Sequence, residues 1–330
     1  MDVVGIGNAL VDVIAPVEEA FLAEQGLAKG SMALVDSERA GRLHRAMGPA
    51  VERSGGSAAN TLAGLASLGS RAAFIGRVGD DRLGRVFADD IRAVGVGFAP
   101  RPGAGAGGGA GLPTGRCLVA VTPDAERTMS TLLGAAAQLG PDDVDPDVVS
   151  AAEVTYLEGY LVEQPGARDA FDMAASIAHR AGRQVALTLS DSFCVGRFRR
   201  DFLALVEDTA DLLFANEDEL RLLYDTDDVD EALGAAERQC RMVALTRGAA
   251  GSTVSVGGRR HQIPAVPVPR VVDTTGAGDL YAAGFLHGLT RGADPQTCGR
   301  LGAAAAGEVV SHVGARPETA LAALVAPLFG

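Results

Sequence analysis

An α/β fold built on a mainly parallel sheet is what this sequence predicts, and three observations lead there. The chain has 330 residues with 47% hydrophobic content, enough to bury a large core in one big α/β domain or two ordinary ones. From Gly55 onward, stretches with helical spacing alternate with short apolar runs. Such alternation implies parallel strands with helices on both faces of the sheet.

In chain order, residues 2–15 cluster Val3, Val4, Ile6, Leu10, Val11, Val13 and Ile14 and read as strand. Met32 to Val35 and Cys117 to Val121 are short apolar runs in Gly- and Pro-rich surroundings, suited to a small separate sheet. Helical spacing is expected near 55–68, 82–94, 165–182, 198–209, 229–239, 276–291 and 295–313. Strands are expected at Ala72–Val78, Val154–Leu157, Val185–Leu189, Leu212–Ala215 and Val243–Thr246. Gly103 to Gly111 is a low-complexity run between Pro102 and Pro113; without a strand before it or a helix after it, it reads as a flexible insertion and not a phosphate loop.

The stretch richest in chemistry is Asp273-Thr274-Thr275-Gly276-Ala277-Gly278-Asp279, followed at once by a helical run. Gly276, Ala277 and Gly278 let backbone N–H groups point at an anion from a helix N-terminus, where the macrodipole also favours negative charge. Asp279 stands in that first turn, close enough to take a proton from a hydroxyl held against the same hole. The alternative is a capped helix start with a solvated Asp.

Asp12 is a carboxylate in an apolar strand, where it needs a partner. Asn8, four residues earlier, is placed to emerge on the same side and grip adjacent sugar hydroxyls. Gly55 and Gly56 permit close backbone approach, and Asn60 lies one turn on. Turn and cap roles are the alternative for Asn8, Asp12 and Asn60. Asn216-Glu217-Asp218-Glu219 makes a favourable acidic first helical turn by itself.

Composition excludes several classes. A net charge of −13 argues against nucleic-acid or acidic-membrane partners. No segment approaches eighteen consecutive apolar residues, and Met1-Asp2 runs straight into a strand, so a cytoplasmic protein without signal peptide or membrane span is expected. Cys117, Cys194, Cys240 and Cys298 are scattered, which favours reduced core thiols over zinc or disulfides. Lys29 is the sole lysine, and no Gly-x-x-x-x-Gly-Lys-Ser/Thr loop is present, so a nucleotide cannot be held in the P-loop manner. Gly5-x-Gly7-x-x-Leu10 lacks the third glycine of a dinucleotide fingerprint.

The heptapeptide Asp273–Asp279 resembles the C-terminal motif of the ribokinase-like carbohydrate kinases, the phosphofructokinase-B family. Ser54-Gly55-Gly56-Ser57-Ala58-Ala59-Asn60-Thr61 resembles that family's N-terminal motif, and the two stand in the expected order. Gly5 to Asp12, Asn216 to Glu219 and Thr246 to Gly251 fall where the family places related segments. Gly7-Asn8-Ala9-Leu10-Val11-Asp12, Thr114-Gly115-Arg116-Cys117 and Leu189 to Phe193 are similar to the adenosine-kinase-like branch. The resemblance implies one three-layer α/β/α domain over 1–330 with a small β-sheet lid from roughly 8–36 and 96–134.

It also implies an ATP-dependent kinase acting on the primary hydroxyl of a purine nucleoside or a sugar, with Mg²⁺. Asp279 is then the base, and the amides of Gly276 to Asp279 form the anion hole beside Thr274. Asp12 and the Gly55–Gly56–Ser57 turn hold the sugar. Asn216 and Glu219 place Mg²⁺ through water. Thr246, Gly248 and His312 contact the adenine nucleotide, and Arg127 descends on the transferred phosphate from the lid. Asp273 and Thr275 suit a K⁺ ion.

The purine pocket would be lined by Leu10, Met32, Leu34 and Leu161, with Tyr160 adjacent. Met32 and Leu161 depart from the polar and aromatic residues of that branch, and without an aromatic face at Leu161 a purine loses stacking worth about 1 kcal/mol. A sugar or sugar-phosphate kinase is the other reading, with Arg116 and Arg127 as its basic groups. A non-catalytic nucleoside- or sugar-binding sensor is a third, against which Gly276, Gly278 and Asp279 speak. A monomer and a homodimer are both compatible with free lid edges.

Overall fold

The computed structural model describes residues 1–100, 111–124 and 126–329; Gly103 to Ala110 of the glycine run lie outside them. Strands in chain order are β1 Val3–Ile6, β2 Leu10–Pro16, β3 Met32–Leu34, β4 Val51–Gly55, β5 Ala72–Ile75, β6 Gly97–Phe98, β7 Gly115–Val121, β8 Arg127–Leu132, β9 Val154–Glu158, β10 Gln184–Thr188, β11 Leu212–Asn216, β12 Met242–Thr246, β13 Ser252–Val256 and β14 Arg259–Ile263. The helices are α1 Glu19–Glu24, α2 Ser37–Ala46, α3 Ser57–Ser67, α4 Arg82–Ala93, α5 Pro146–Ala151, α6 Pro165–Arg180, α7 Ser192–Arg197, α8 Arg199–Asp208, α9 Glu217–Tyr224, α10 Val229–Gln239, α11 Ala277–Leu289, α12 Pro295–Val309 and α13 Leu321–Val325.

Among the described residues the large sheet has nine strands in the order β14-β13-β12-β11-β10-β9-β1-β5-β6. Pairings from β12 to β6 are parallel, and β13 and β14 close one edge as an antiparallel hairpin. Alternate residues sort onto its two faces: Val3, Val154 and Tyr156 join one core, Val4, Ile6 and Leu157 the other. A sheet buried on both sides needs apolar residues at successive positions, which is why these strands read as continuous apolar runs. α3 and α11 lie against each other in the first of these cores. Gly64 makes that approach possible, since a Cβ there would meet Leu280 Cδ1 at 2.6 Å.

A second sheet, in the order β3-β8-β7-β2-β4, carries the remaining strands. Residues 2–15 are therefore not one strand. They break at Gly7–Ala9, and β1 belongs to the large sheet while β2 belongs to the small one. The cause lies at Gly7, where a Cβ would sit 2.5 Å from both Ala58 Cβ and Glu158 Oε2, so the chain can leave one sheet for the other only through a residue without a side chain. The small sheet also takes in β4, outside both segments expected for the lid, while β6 belongs to the large sheet.

Register orients the small sheet. Asp12 pairs with Arg53 and Cys117, whereas Val11 pairs with Ser54 and Arg116. Cross-strand partners share a face. Val11, Val13 and Ala15 are buried and Leu10, Asp12 and Ile14 are only partly covered, so Asp12 looks out on the opposite side from Arg116. Arg116 instead lines a cavity with Gly41, His44 and Arg45 of α2, which removes it from any cluster around Asp12. The four cysteines are buried free thiols. Among the described residues no helix is long and apolar enough to cross a membrane.

Candidate active site

Asp279 occupies the first turn of α11, and α3 presents its own N-terminus to the same carboxyl. Ser57 Oγ, at the first position of α3, donates to Asp279 Oδ1 at 2.6 Å. Asn60 Nδ2, one turn on, donates to Oδ2 at 3.1 Å. The acid thus receives a hydrogen bond on each oxygen and feels two helix N-termini, all of which favour its ionised form. Burial acts the other way and more strongly, holding its pKa up at about 6.

Asp12 lies near enough for the charge of Asp279 to reach it. Its pKa is likewise raised to about 6 by burial, with Arg316, Arg127 and Arg53 opposing the rise and the charge of Asp279 adding to it. Its carboxylate lies directly over Gly55, where a Cβ would come within 2.3 Å of Oδ2. Gly56 adopts φ 98° and would bring a Cβ to 2.3 Å from the Asn8 carbonyl oxygen. Close backbone approach at Gly55 and Gly56 is therefore real, and its immediate use is to seat Asp12 and Asn8.

Asn8 does not join Asp12 on one strand face. It precedes β2, is only 3% exposed, and donates from Nδ2 to Glu158 Oε1 at 2.7 Å while Oδ1 is enclosed without a partner. Asn60 is also committed: its amide faces Asp279 on one side and Arg316 on the other. In this arrangement the side chain of Asn8 is bound to Glu158, and that of Asn60 to Asp279 and Arg316.

At the phosphate side, Gly276 caps α11 with φ 80°, a left-handed conformation, and a Cβ there would meet Ala315 Cα at 2.7 Å. The Ala277 N–H is used by the Thr274 carbonyl at 3.2 Å, and the first helical bond runs from Leu280 N–H to Gly276 O. Ala277 is thereby removed from the expected anion hole. The Gly278 and Asp279 amides precede the first helical bond, and a Cβ on Gly278 would meet nothing within 4 Å, so this end of the helix opens on free space.

Asp273 accepts from Thr275 N–H at 2.9 Å and Gly314 N–H at 2.8 Å, and lies 3.0 Å from Arg127 Nη2. Burial raises its pKa, but these hydrogen bonds and the Arg127 charge outweigh it and keep the acid below the ordinary range. Its charge is balanced by a guanidinium, which leaves a K⁺ ion at Asp273 and Thr275 without a free carboxylate charge to balance. Arg127, only 10% exposed, is neither a solvated strand end nor free for a phosphate in this arrangement.

Asn216 and Glu219 cap α9 reciprocally: Asn216 Oδ1 accepts from Glu219 N–H and Glu219 Oε2 from Asn216 N–H, each at 2.8 Å. Glu219 is 5% exposed, and burial lifts it to about 7 with Asp191 and Asp218 adding to the rise. Thr246 ends β12 beside Asn216, and Gly248 follows, exposed, with φ 52°. His312 is 3.2 Å from Glu308 Oε2, so it belongs to the network that ties Glu308 to Glu318 and Thr319. Among the described residues no three acidic, His or Cys side chains gather into a metal cage.

Of the apolar lining, Leu10 lies on the face of β2 that carries Asp12, and Met32 and Leu34 are 44% and 48% exposed on edge strand β3. Leu161 is different. It is fully buried in the second core of the large sheet, because the turn after β9 points it inward and leaves Tyr160 with its side chain partly open. Burial raises the Tyr160 phenol, and Asp191, Asp279, Glu158 and Glu219 add to it, which puts the ring among the acids of the site.

Sequence reasoning missed two side chains. Glu158, fully buried at the end of β9, accepts from Asn8 N–H, Asn8 Nδ2 and Ala58 N–H, and burial raises its pKa to about 7. It joins the sheet-to-sheet crossing to the first turn of α3. Arg316, in the segment after α12, donates from Nε to Asn60 Oδ1 at 2.8 Å and from Nη2 to Ser54 O and Oγ at 2.8 and 2.9 Å. A buried Glu after a strand and an Arg in a Gly-Ala-Arg-Pro loop carry no local signal of either role.

A carboxyl with a pKa near 6, set at a helix N-terminus whose amides face open space, is the equipment of a phosphotransferase acting on a hydroxyl group. The model of the pfkB family carbohydrate kinases matches residues 3–320, and the chain belongs to that family, in its adenosine-kinase-like branch. It is similar to the adenosine kinase from Sinorhizobium meliloti, at 50% identity and TM-score 0.90 over 99% of this chain and 98% of that one. A probable sugar kinase protein from Rhizobium etli CFN 42 is similar at 46% identity and TM-score 0.90, with the same coverage. The adenosine kinase of Saccharomyces cerevisiae is 28% identical over 332 aligned positions, 94% of each chain.

Proposed function

We propose that the chain transfers the γ-phosphoryl group of ATP to the primary hydroxyl of a purine nucleoside, with adenosine first. Asp279 takes the hydroxyl proton as that oxygen forms a bond to phosphorus and the bond to the ADP oxygen breaks. The Gly276, Gly278 and Asp279 amides take up the charge of the phosphoryl group in flight. Asp12, seated on Gly55, holds the ribose hydroxyls. Arg127 exchanges Asp273 for the incoming phosphate. Mg²⁺ accompanying the nucleotide neutralises phosphate charge; Glu219 and Asn216 are suited to hold it through water, since their polar atoms are largely engaged in capping each other.

The observation that carries this reading is the convergence of Ser57, Asn60 and Asp279 at two helix N-termini, within reach of the charge of Asp12. The purine is favoured by Tyr160, whose partly open ring supplies next to Leu161 the aromatic face that Leu161 lacks. A sugar kinase of the same family is the second reading, favoured by the likeness to the Rhizobium etli protein.

A coupled ADP-release assay across adenosine, other purine nucleosides, ribose, fructose and fructose phosphates tests both. Fastest turnover per unit concentration is expected on adenosine. Turnover on ribose or fructose with none on nucleosides would replace the first reading by the second, and silence on the whole panel would remove both.

A further inference from the structure

Arg316 lies outside both sequence motifs, yet its guanidinium touches the groups that hold the catalytic acid. Nε donates to Asn60 Oδ1, and Nη2 donates to Ser54 O and Oγ of β4. An arginine has no acceptor, so Asn60 must turn its oxygen toward Arg316 and its N–H₂ toward Asp279. The flip of that amide is therefore dictated by Arg316. Without it the carboxamide is free to rotate, and an oxygen against the Asp279 carboxylate would repel it. Ser54 is in turn anchored by its N–H to Asp90 Oδ2 of α4 at 2.8 Å. The chain Asp279–Asn60–Arg316–Ser54–Asp90 thus joins α11, α3, the segment after α12, the small sheet and α4.

We propose that Arg316 is a positioning residue of the transfer reaction: it fixes Asn60 as a donor to Asp279 and lends one positive charge to two neighbouring carboxylates, Asp12 and Asp279. Two partly buried carboxylates close enough to feel each other tend to share a proton, which would disarm the base, and a nearby cation opposes this. Arg316 is itself partly buried and is acted on by Asp90, Asp12, Arg53 and Asp279. The charged and titratable groups close enough to exchange charge effects with Asp279 are Asp12 from β2, Glu158 and Tyr156 from β9, Tyr160 from the turn after it, and Arg316. Among the described residues Arg316 is the cation that acts on Asp279, and it lowers Asp12 as well, alongside Arg127 and Arg53.

This rests on Asp279 being the base, so the experiment carries Asp279→Asn beside the Arg316 variants. The kcat of wild type, Arg316→Gln, Arg316→Lys and Asp279→Asn is followed from pH 5 to 9 by ADP release, with thermal melts of each. For Arg316→Gln the acid limb of kcat should move up by about one pH unit, a tenfold loss on the acid side that largely recovers toward pH 9. Arg316→Lys keeps the charge but not the planar fork, so its limb should stay near the wild-type position while kcat falls about tenfold at every pH. A merely structural arginine would lower the melting temperature and leave the limb where it was.

Superimposable kcat profiles for wild type and Arg316→Gln, with Asp279→Asn inactive, overturn the proposal and leave the base intact. If Arg316→Gln does not fold, the lysine variant decides, and wild-type kcat in it overturns the proposal. Full turnover by Asp279→Asn removes the base assignment, and this inference with it.

Discussion

Replacing Asp279 by Asn should abolish turnover without unfolding the protein, and the size of each effect can be worked out from its contacts. A positioned base contributes about 10²–10⁴-fold to rate. In the folded chain the acid stands at about 6 against an ordinary 3.8, so keeping it ionised at pH 8 costs at most about 3 kcal/mol. The sign follows from the direction of the shift: this penalty is present above pH 6 and is relieved as pH falls from about 6 toward 4. Asn removes it. Asn also has a single acceptor where Ser57 and Asn60 both donate, so one donor is left facing an N–H₂ group, at about 1–3 kcal/mol. The two changes nearly cancel, and the melting temperature at pH 8 should move by only a few degrees.

In the wild type, kcat should be half-maximal near pH 6 and fall to about a tenth at pH 5, because only ionised Asp279 accepts the proton. Asp12 and Glu158 titrate nearby, so the limb reports the group of acids, and its loss in Asp279→Asn assigns it. ADP release across pH and a thermal melt make the measurement. More than a tenth of wild-type kcat in the variant, or a wild-type profile flat from pH 5 to 8, would refute the reasoning.

Further substitutions separate the two sides of the recess. Gly55→Ala puts a methyl within 2.3 Å of the Asp12 carboxylate, so KM for the acceptor should rise about tenfold or more while KM for ATP holds; steady-state kinetics with each substrate varied decides it. Gly276→Ala combines a φ of 80° with a Cβ 2.7 Å from the Ala315 backbone, and should cost about 2 kcal/mol or more in a denaturant melt together with most of kcat. Arg127→Ala should lower kcat by about 10²-fold and leave acceptor binding, measured by calorimetry without ATP, nearly unchanged.

Periodicity made most of the fold legible, because a parallel sheet covered on both faces writes itself as apolar runs, as at Val154–Glu158 and Met242–Thr246. The hairpin β13–β14 was equally readable: Gly257-Gly258, both at positive φ, separates two strands by a two-residue turn, yet its alternation of Ser, Thr, Arg and Val kept it below notice. The break at Gly7 was hidden because a strand leaving one sheet for another keeps its apolar residues. At the site, Asp279 and Gly276 stand in one compact motif readable from spacing, whereas Ser57, expected to hold the sugar, donates to Asp279. Arg316 and Glu158 reach the same recess from distant segments, and only tertiary packing brings them there. Leu161 and Tyr160 show the limit most sharply: adjacent residues in a tight turn exchange core and cleft, and no period distinguishes them.

The hydrogen bond from Asn60 to Asp279 spans 219 positions of sequence, and that from Ser57 spans 222. Donors emerge early from the ribosome and their acceptor arrives late, so a partial product ending before α11 lacks the base proposed above. On that assignment a nascent or prematurely terminated polypeptide cannot spend nucleotide triphosphate, and turnover reports that synthesis has passed α11.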